Sequence, residues 1–216
     1  MRLPGFSIVN GPTSGSATQY AHGLSQAPEL IIAKSMDKID YWPVGATVMQ
    51  ADWGKFLVFN SDGASGVAAT IWNDTAPTAD VFTIGNENAF NNAGENTIFY
   101  CFHSVEGYSK IGSYTGNNNV DGTFIYTGFK PAFVMVKRIS GVNNWVMTDS
   151  ARSPYNAVDG RLWADLNNAE STSDADSDFV SNGFKLRVAN NASNPSDSPM
   201  LYIAFAESPF KYSNAR

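Results

Sequence analysis

The sequence predicts an all-β protein of two tandem modules, sandwich or jelly-roll in type, on three grounds: composition, turn chemistry and an internal repeat. Aromatic residues make up 13% and charged residues 16% of 216 positions, alongside 18 Gly, 10 Pro and 21 Asn. Amphipathic helices draw on Glu, Lys, Leu and Ala, and an average soluble domain carries about 25% charged residues. Asn and Gly tolerate left-handed backbone and collect at the turns between strands. The length accommodates two modules of roughly 100 residues each.

The repeat sets the organisation. Pro28-Glu29-Leu30-Ile31-Ile32-Ala33-Lys34 matches Pro131-Ala132-Phe133-Val134-Met135-Val136-Lys137 at an offset of 103. The same offset carries Trp42 onto Trp145 and Ile98–Phe102 onto Leu201–Phe205. Phe6–Gly11 resembles Ile111–Gly116 at an offset of 105, and Val81–Gly85 stands against Gly183–Arg187. Strand-like runs recur in any β protein, but both copies also place a Trp eight residues after the Lys of a Pro-x-apolar-x-apolar-x-Lys run. The modules are therefore read as 1–108 and 109–216.

Each copy opens with one strand and adds a short strand before its Pro. The strong strand ending at Lys34 or Lys137 follows, then a Trp strand (Tyr41 to Val44; Trp145 to Thr148). A short strand comes next, around Leu57-Val58-Phe59 or Leu162-Trp163-Ala164. Two closing strands finish the copy, joined by Asn-rich loops at Asn86–Asn96 and Asn190–Pro199 and expected to pair as hairpins.

The second copy is the more familiar one. Its Thr127-Gly128-Phe129-Lys130-Pro131 run into Phe133–Arg138 resembles a module of tail-fibre and other virion proteins of tailed bacteriophages, marine ones especially. So do Asp149-Ser150-Ala151-Arg152, Asn167–Glu170, Asp178–Phe184, Tyr202–Glu207 and the closing Pro209–Arg216. The resemblance implies a virion structural protein on the particle surface, synthesised in the host cytoplasm, with other virion proteins as partners and no catalytic residues. The first copy departs from the pattern at Gln50–Lys55 and at Trp72-Asn73-Asp74.

The residues themselves narrow the chemistry. A net charge of −6 with scattered Lys and Arg argues against nucleic acid as a partner. No apolar run approaches the ~20 residues that span a bilayer, and Met1–Phe6 opens no secretory signal, so membrane insertion is not expected. Cys101, the one cysteine, falls inside an apolar run and reads as a buried thiol. His22, His103 and Cys101 are too few for a zinc site, and no Ser lies in a nucleophile elbow. No cofactor is expected. Asp174-Ala175-Asp176-Ser177-Asp178 spaces carboxylates as a calcium loop does, which makes Asp174 and Asp176 weak metal candidates; a solvated acidic loop is the simpler reading. Asp159, Asp165 and Glu170 flank Trp163 and are read as solubilising rather than as a glycosidase pair.

Trp42 and Trp145 recur at matched positions and read as core. Trp53, Trp72 and Asn73 have no match in the second copy, look loop-borne, and are the candidates for contact with a ligand or partner. The functional expectation is a non-enzymatic tail-fibre or tail-tip component, a homo-oligomer with a trimer as the favoured form, that attaches to a host surface glycan through many weak contacts. A capsid decoration or head-fibre protein is the alternative, favoured by a module that starts near Met1 without a heptad shaft. An enzyme acting on polysaccharide is the minor alternative.

Overall fold

The runs that anchor the repeat, at Leu30 and at Pro131, become inner strands of two antiparallel sheets. The structure, a computed structural model, describes residues 5–173 and 176–209. It divides into two units, Met1–His103 and Ser104–Arg216. The first contains β1 (Phe6–Pro12), β2 (Thr18–Ala21), β3 (Leu30–Ser35), β4 (Pro43–Ala46), β5 (Lys55–Val58), β6 (Gly66–Val67), a helical turn α1 (Ala69–Trp72), β7 (Val81–Ile84) and β8 (Asn96–Phe102). The second contains β9 (Ser109–Thr115), β10 (Phe124–Tyr126), β11 (Pro131–Arg138), β12 (Val146–Asp149), β13 (Arg161–Trp163), β14 (Ser177–Val180), β15 (Gly183–Leu186) and β16 (Pro199–Ala206).

Topology confirms the duplication. The main sheet of the first unit runs β1-β8-β3-β4-β5-β6, and that of the second runs β9-β16-β11-β12-β13, the same order read from the other edge. The smaller sheets are β2-β7 and β10-β15-β14. Registers agree residue for residue: Leu30 stands opposite Phe102 as Phe133 stands opposite Phe205, an offset of 103. The opening strands obey the same offset. Phe6 faces Phe102 and Ser109 faces Phe205, so Phe6 corresponds to Ser109 and not, as the sequence suggested, to Ile111. The fifth strands are displaced by 105, because Leu57 pairs with Val44 where Leu162 pairs with Met147. The longer loop before β13 absorbs the difference.

One face of each main sheet packs on the small sheet. In the second unit Val134 and Val136 of β11, Tyr202 and Ala204 of β16, Phe179 of β14 and Phe184 of β15 share one core. In the first, Ile31, Ala33, Phe99 and Cys101 meet Phe82 and Ile84, with Ile71 and Trp72 of α1 taking the place of β14. Leu30 and Ile32 are buried as well, in keeping with a run that is apolar at every position.

The closing strands do not form hairpins. β7 and β15 lie in the small sheets while β8 and β16 enter the main sheets, so each Asn-rich loop crosses between layers. The loop after the first strand crosses the other way, and one buried asparagine ties the two crossings together. Asn91 Oδ1 accepts from the Ser14 and Gly15 amides at 3.2 and 3.1 Å, and its Nδ2 donates to the Ser16 and Gly85 carbonyls at 2.9 and 2.5 Å. Asn194, 103 residues on, accepts from the Asn117 amide at 2.8 Å and donates to the Asn119 and Val188 carbonyls at 2.9 and 2.8 Å. Gly15 and its counterpart Asn118 both turn with positive φ, 75° and 48°, a conformation open chiefly to Gly and Asn.

Each asparagine is fully buried and its partners are chiefly backbone groups. Asn91→Ala and Asn194→Ala are expected to lower stability by about 3 kcal/mol each, through stranded buried donors and acceptors. Urea unfolding measures the loss, and hydrogen exchange should show faster opening at residues 14–16 or 117–119. A loss below about 1 kcal/mol would remove this asparagine from its structural role.

Candidate functional site

Trp53 and Trp72 are not surface contacts. Each is 1% exposed, and their rings meet edge to face at 5.5 Å in the core of the first unit. Trp53 Nε1 donates to Thr47 Oγ1 at 3.2 Å, while the Trp72 indole N–H is buried with no acceptor among the described residues. Both rings crowd the backbone at Gly45, where a Cβ would come within 2.4 Å of Trp53 and 2.7 Å of Trp72. Tryptophans look loop-borne in sequence when they sit just outside strands, and here the loops fold inward over the sheet. Asn73 is exposed, and with φ of 55° it ends α1, its amide donating to the Ala69 carbonyl at 2.8 Å. Trp145 is buried as expected, whereas Trp42 is half-buried and stacks on Phe59 at 6.1 Å.

The acidic stretch is corrected too. Asp174 lies outside the described residues. Asp176 is buried, not solvated, and its carboxylate is taken up by Arg161, whose Nε and Nη2 donate at 2.7 and 2.5 Å. Ser193 Oγ adds a third donor at 2.9 Å. Asp178 instead pairs with Arg187 at 2.6 Å. Beside Asp176 is a cavity of about 10 Å³, room for one water at most. A carboxylate already bound by a guanidinium is poorly placed to take a calcium ion, and no group of three metal-ligating side chains occurs among the described residues.

The remaining polar candidates also serve the fold. Asp159 accepts from Ser153 Oγ at 2.9 Å, Asp165 accepts from the Trp145 amide at 3.1 Å, and Glu170 pairs with Arg152 at 2.8 Å. In the Asp149-x-x-Arg152 turn, burial works against ionisation of Asp149, but the Arg152 amide and guanidinium and the Ala151 amide prevail and hold its carboxyl below the usual range. His22 and His103 are buried and held by hydrogen bonds, His22 to the Leu24 amide at 3.1 Å and His103 to the Gly5 amide at 3.0 Å.

An exposed concave site lies where no candidate residue was expected. A groove of about 330 Å³ in the second unit is lined by Ser104, Glu106, Ser109, Lys110, Tyr126 and Thr127. Two turns build it. The first is the three-residue loop between Val105 and Ser109, whose backbone groups pair at 3.0 and 2.9 Å. The second follows β10, where the Thr127 and Gly128 amides both donate to the Asn182 carbonyl. Ser109 and Thr127 are buried; Glu106 is exposed, and Tyr126 projects with 66% of its surface open. Alternation along β10 would have given the clue: Phe124 and Tyr126 face outward around the inward Ile125.

Two predictions arise from the buried groups. Asp176→Ala strands Arg161 in the core and is expected to cost about 3–5 kcal/mol. The first unit holds Phe56 and Ile71 at the matching positions, so Arg161→Phe with Asp176→Ile should recover most of that loss in urea unfolding; a double variant as unstable as the single would contradict it. The second concerns alkali. Burial pushes the Cys101 thiol up to about 12 from an ordinary 9.0, against the opposing pull of the Ser7 hydroxyl. Burial, and then the Asp176 carboxylate, push the Tyr114 phenol well above 10.0. Both groups keep their protons longer folded than unfolded. Their stabilisation is complete below about pH 9 and is lost as the pH rises from there toward 12. The urea midpoint should fall above pH 9, and fall less steeply in Cys101→Ala; a flat profile to pH 11 would refute this.

Comparison with known proteins places the chain without naming an activity. No curated protein and no solved structure matches it. A family model described as a domain of unknown function, DUF7483, matches residues 2–209, nearly the whole chain including both copies, and the protein belongs to that family.

Proposed function

We propose that this protein is a structural component of a tailed-phage particle, displayed on its surface as a tail-fibre or tail-tip part that contributes to attachment to a host glycan. The observation that carries the reading is duplication of one frame with divergence that reaches the outward residues. The two copies keep the same order over five strands, the same registers around the last strand and the same buried asparagine, and the second has built an exposed polar groove. A duplicated rigid frame that varies in its outward residues suits display. The likeness of Thr127–Arg138 and Asp149–Arg152 to modules of phage virion proteins supports the same assignment.

The mechanism is passive. Strand ladders fix the groove, so little conformational entropy is lost on contact. Several copies on one particle would turn a weak single contact into firm attachment, since each further contact forms at a high effective concentration.

Antibody labelling of intact particles, viewed by electron microscopy, tests the placement. Label at fibres or tail tip is expected. Label spread over the head would replace attachment with capsid decoration, and particles that carry none would overturn the virion reading.

A further inference from the structure

We infer that the groove between the 105–109 turn and the end of β10 is a saccharide site, taking one pyranose or a disaccharide through stacking on Tyr126. The choice of ligand class rests on the attachment reading above; the site itself rests on geometry.

Three properties point to a sugar. The first is size: about 330 Å³ lies at the small end of ligand clefts, which run from roughly 300 to 1,000 Å³. The second is the pairing of one open aromatic face with convergent polar groups. A pyranose presents C–H bonds on one face and hydroxyls around its edge. The Tyr126 ring offers the former a partner, while the Glu106 carboxylate accepts and the Lys110 ammonium donates hydrogen bonds to the latter. Ser104, Ser109 and Thr127 complete the lining. One carboxylate and one ammonium leave the lining without net charge, which suits a neutral sugar better than a phosphate or a polyanion.

The third property is rigidity. The amides of Thr127 and Gly128 are both tied to Asn182, at 3.0 and 3.2 Å. Gly107 and Gly128 take positive φ, 72° and 87°, so each turn is tight where it borders the groove. Tyr126 sits at the end of a strand, not on a loop, and its hydroxyl lies close over Gly128.

The first copy shows what the groove lacks without these residues. Aligned through the β2–β7 and β10–β15 registers, with Phe82 on Phe184, Tyr126 falls on Ala21 and Thr127 on His22. Lys110 falls on Ser7 through the opening strands. The frame is shared, but the matching place in the first copy has neither the aromatic face nor the ammonium.

Titrating isotope-labelled full-length protein with glucose, galactose, rhamnose and N-acetylglucosamine, read by backbone amide NMR, tests the inference. At least one sugar should shift amides of 104–110 and 126–128, with Tyr126→Ala weakening it about tenfold and Glu106→Gln severalfold. Tyr126 is exposed, so its variant should keep the native spectrum elsewhere, and Phe124→Ala on the same strand serves as the control. No response to any sugar, or a response that Tyr126→Ala leaves intact, would overturn the site. Either result would leave the particle labelling untouched. Conversely, unlabelled particles with a sugar bound at Tyr126 would sink the virion reading and keep the site.

Discussion

Each copy depends on an amide side chain buried where the polypeptide passes between its two layers. A sandwich built from one continuous chain must cross from sheet to sheet, and crossings expose backbone groups that no ladder can satisfy. Asn91 and Asn194 answer this by offering an acceptor and two N–H bonds to loops about 75 residues apart in sequence. The outward crossing after the first strand and the return crossing before the last are thereby held at one point. A leucine of similar size could fill the volume but would leave the loop amides unpaired.

The two copies also give different answers to one packing problem. Where the second unit places Arg161, Asp176 and Ser193, the first places Phe56, Ile71 and Phe90. Correspondence is fixed by backbone: the Gly85 amide donates to the Ile71 carbonyl just as the Arg187 amide donates to that of Asp176, at 2.8 and 2.9 Å. A buried ion pair gains little over apolar packing once desolvation is counted, so either set can close the core. They differ in directionality. The guanidinium and carboxylate fix one geometry, whereas the aromatic set tolerates adjustment and makes room for the Trp53–Trp72 pair alongside.

Much of the frame was legible in the sequence because it is written twice. The shared run from Pro28 to Lys34 and from Pro131 to Lys137, with Trp42 and Trp145 after it, needed only apolar spacing to be recognised. The offset of the opening strand is hidden in composition, where Phe6–Gly11 and Ile111–Gly116 look alike, while hydrogen bonds to the closing strand decide register. Burial was the harder inference. Trp53, Trp72 and Asp176 lie in segments with the Gly, Asn and Ser content of exposed loops, and only tertiary packing turns them inward. Tyr126 escaped notice for the opposite reason: an aromatic on a short strand reads as core, and which face looks outward is set by the layer it pairs with.

β8 and β16, the last strands of their copies to be made, lie between the first and third. During translation, then, β1 and β3 have no strand between them until residues 96–102 leave the ribosome, and β9 and β11 wait likewise for 199–206. In the interval Leu30–Ala33 or Val134–Val136, buried in the finished copy, stay open to other partners. Insertion of the final strand thus acts as a completeness check. A chain stopped short of it presents bare strand edges to the cell's proteases, and only finished copies close.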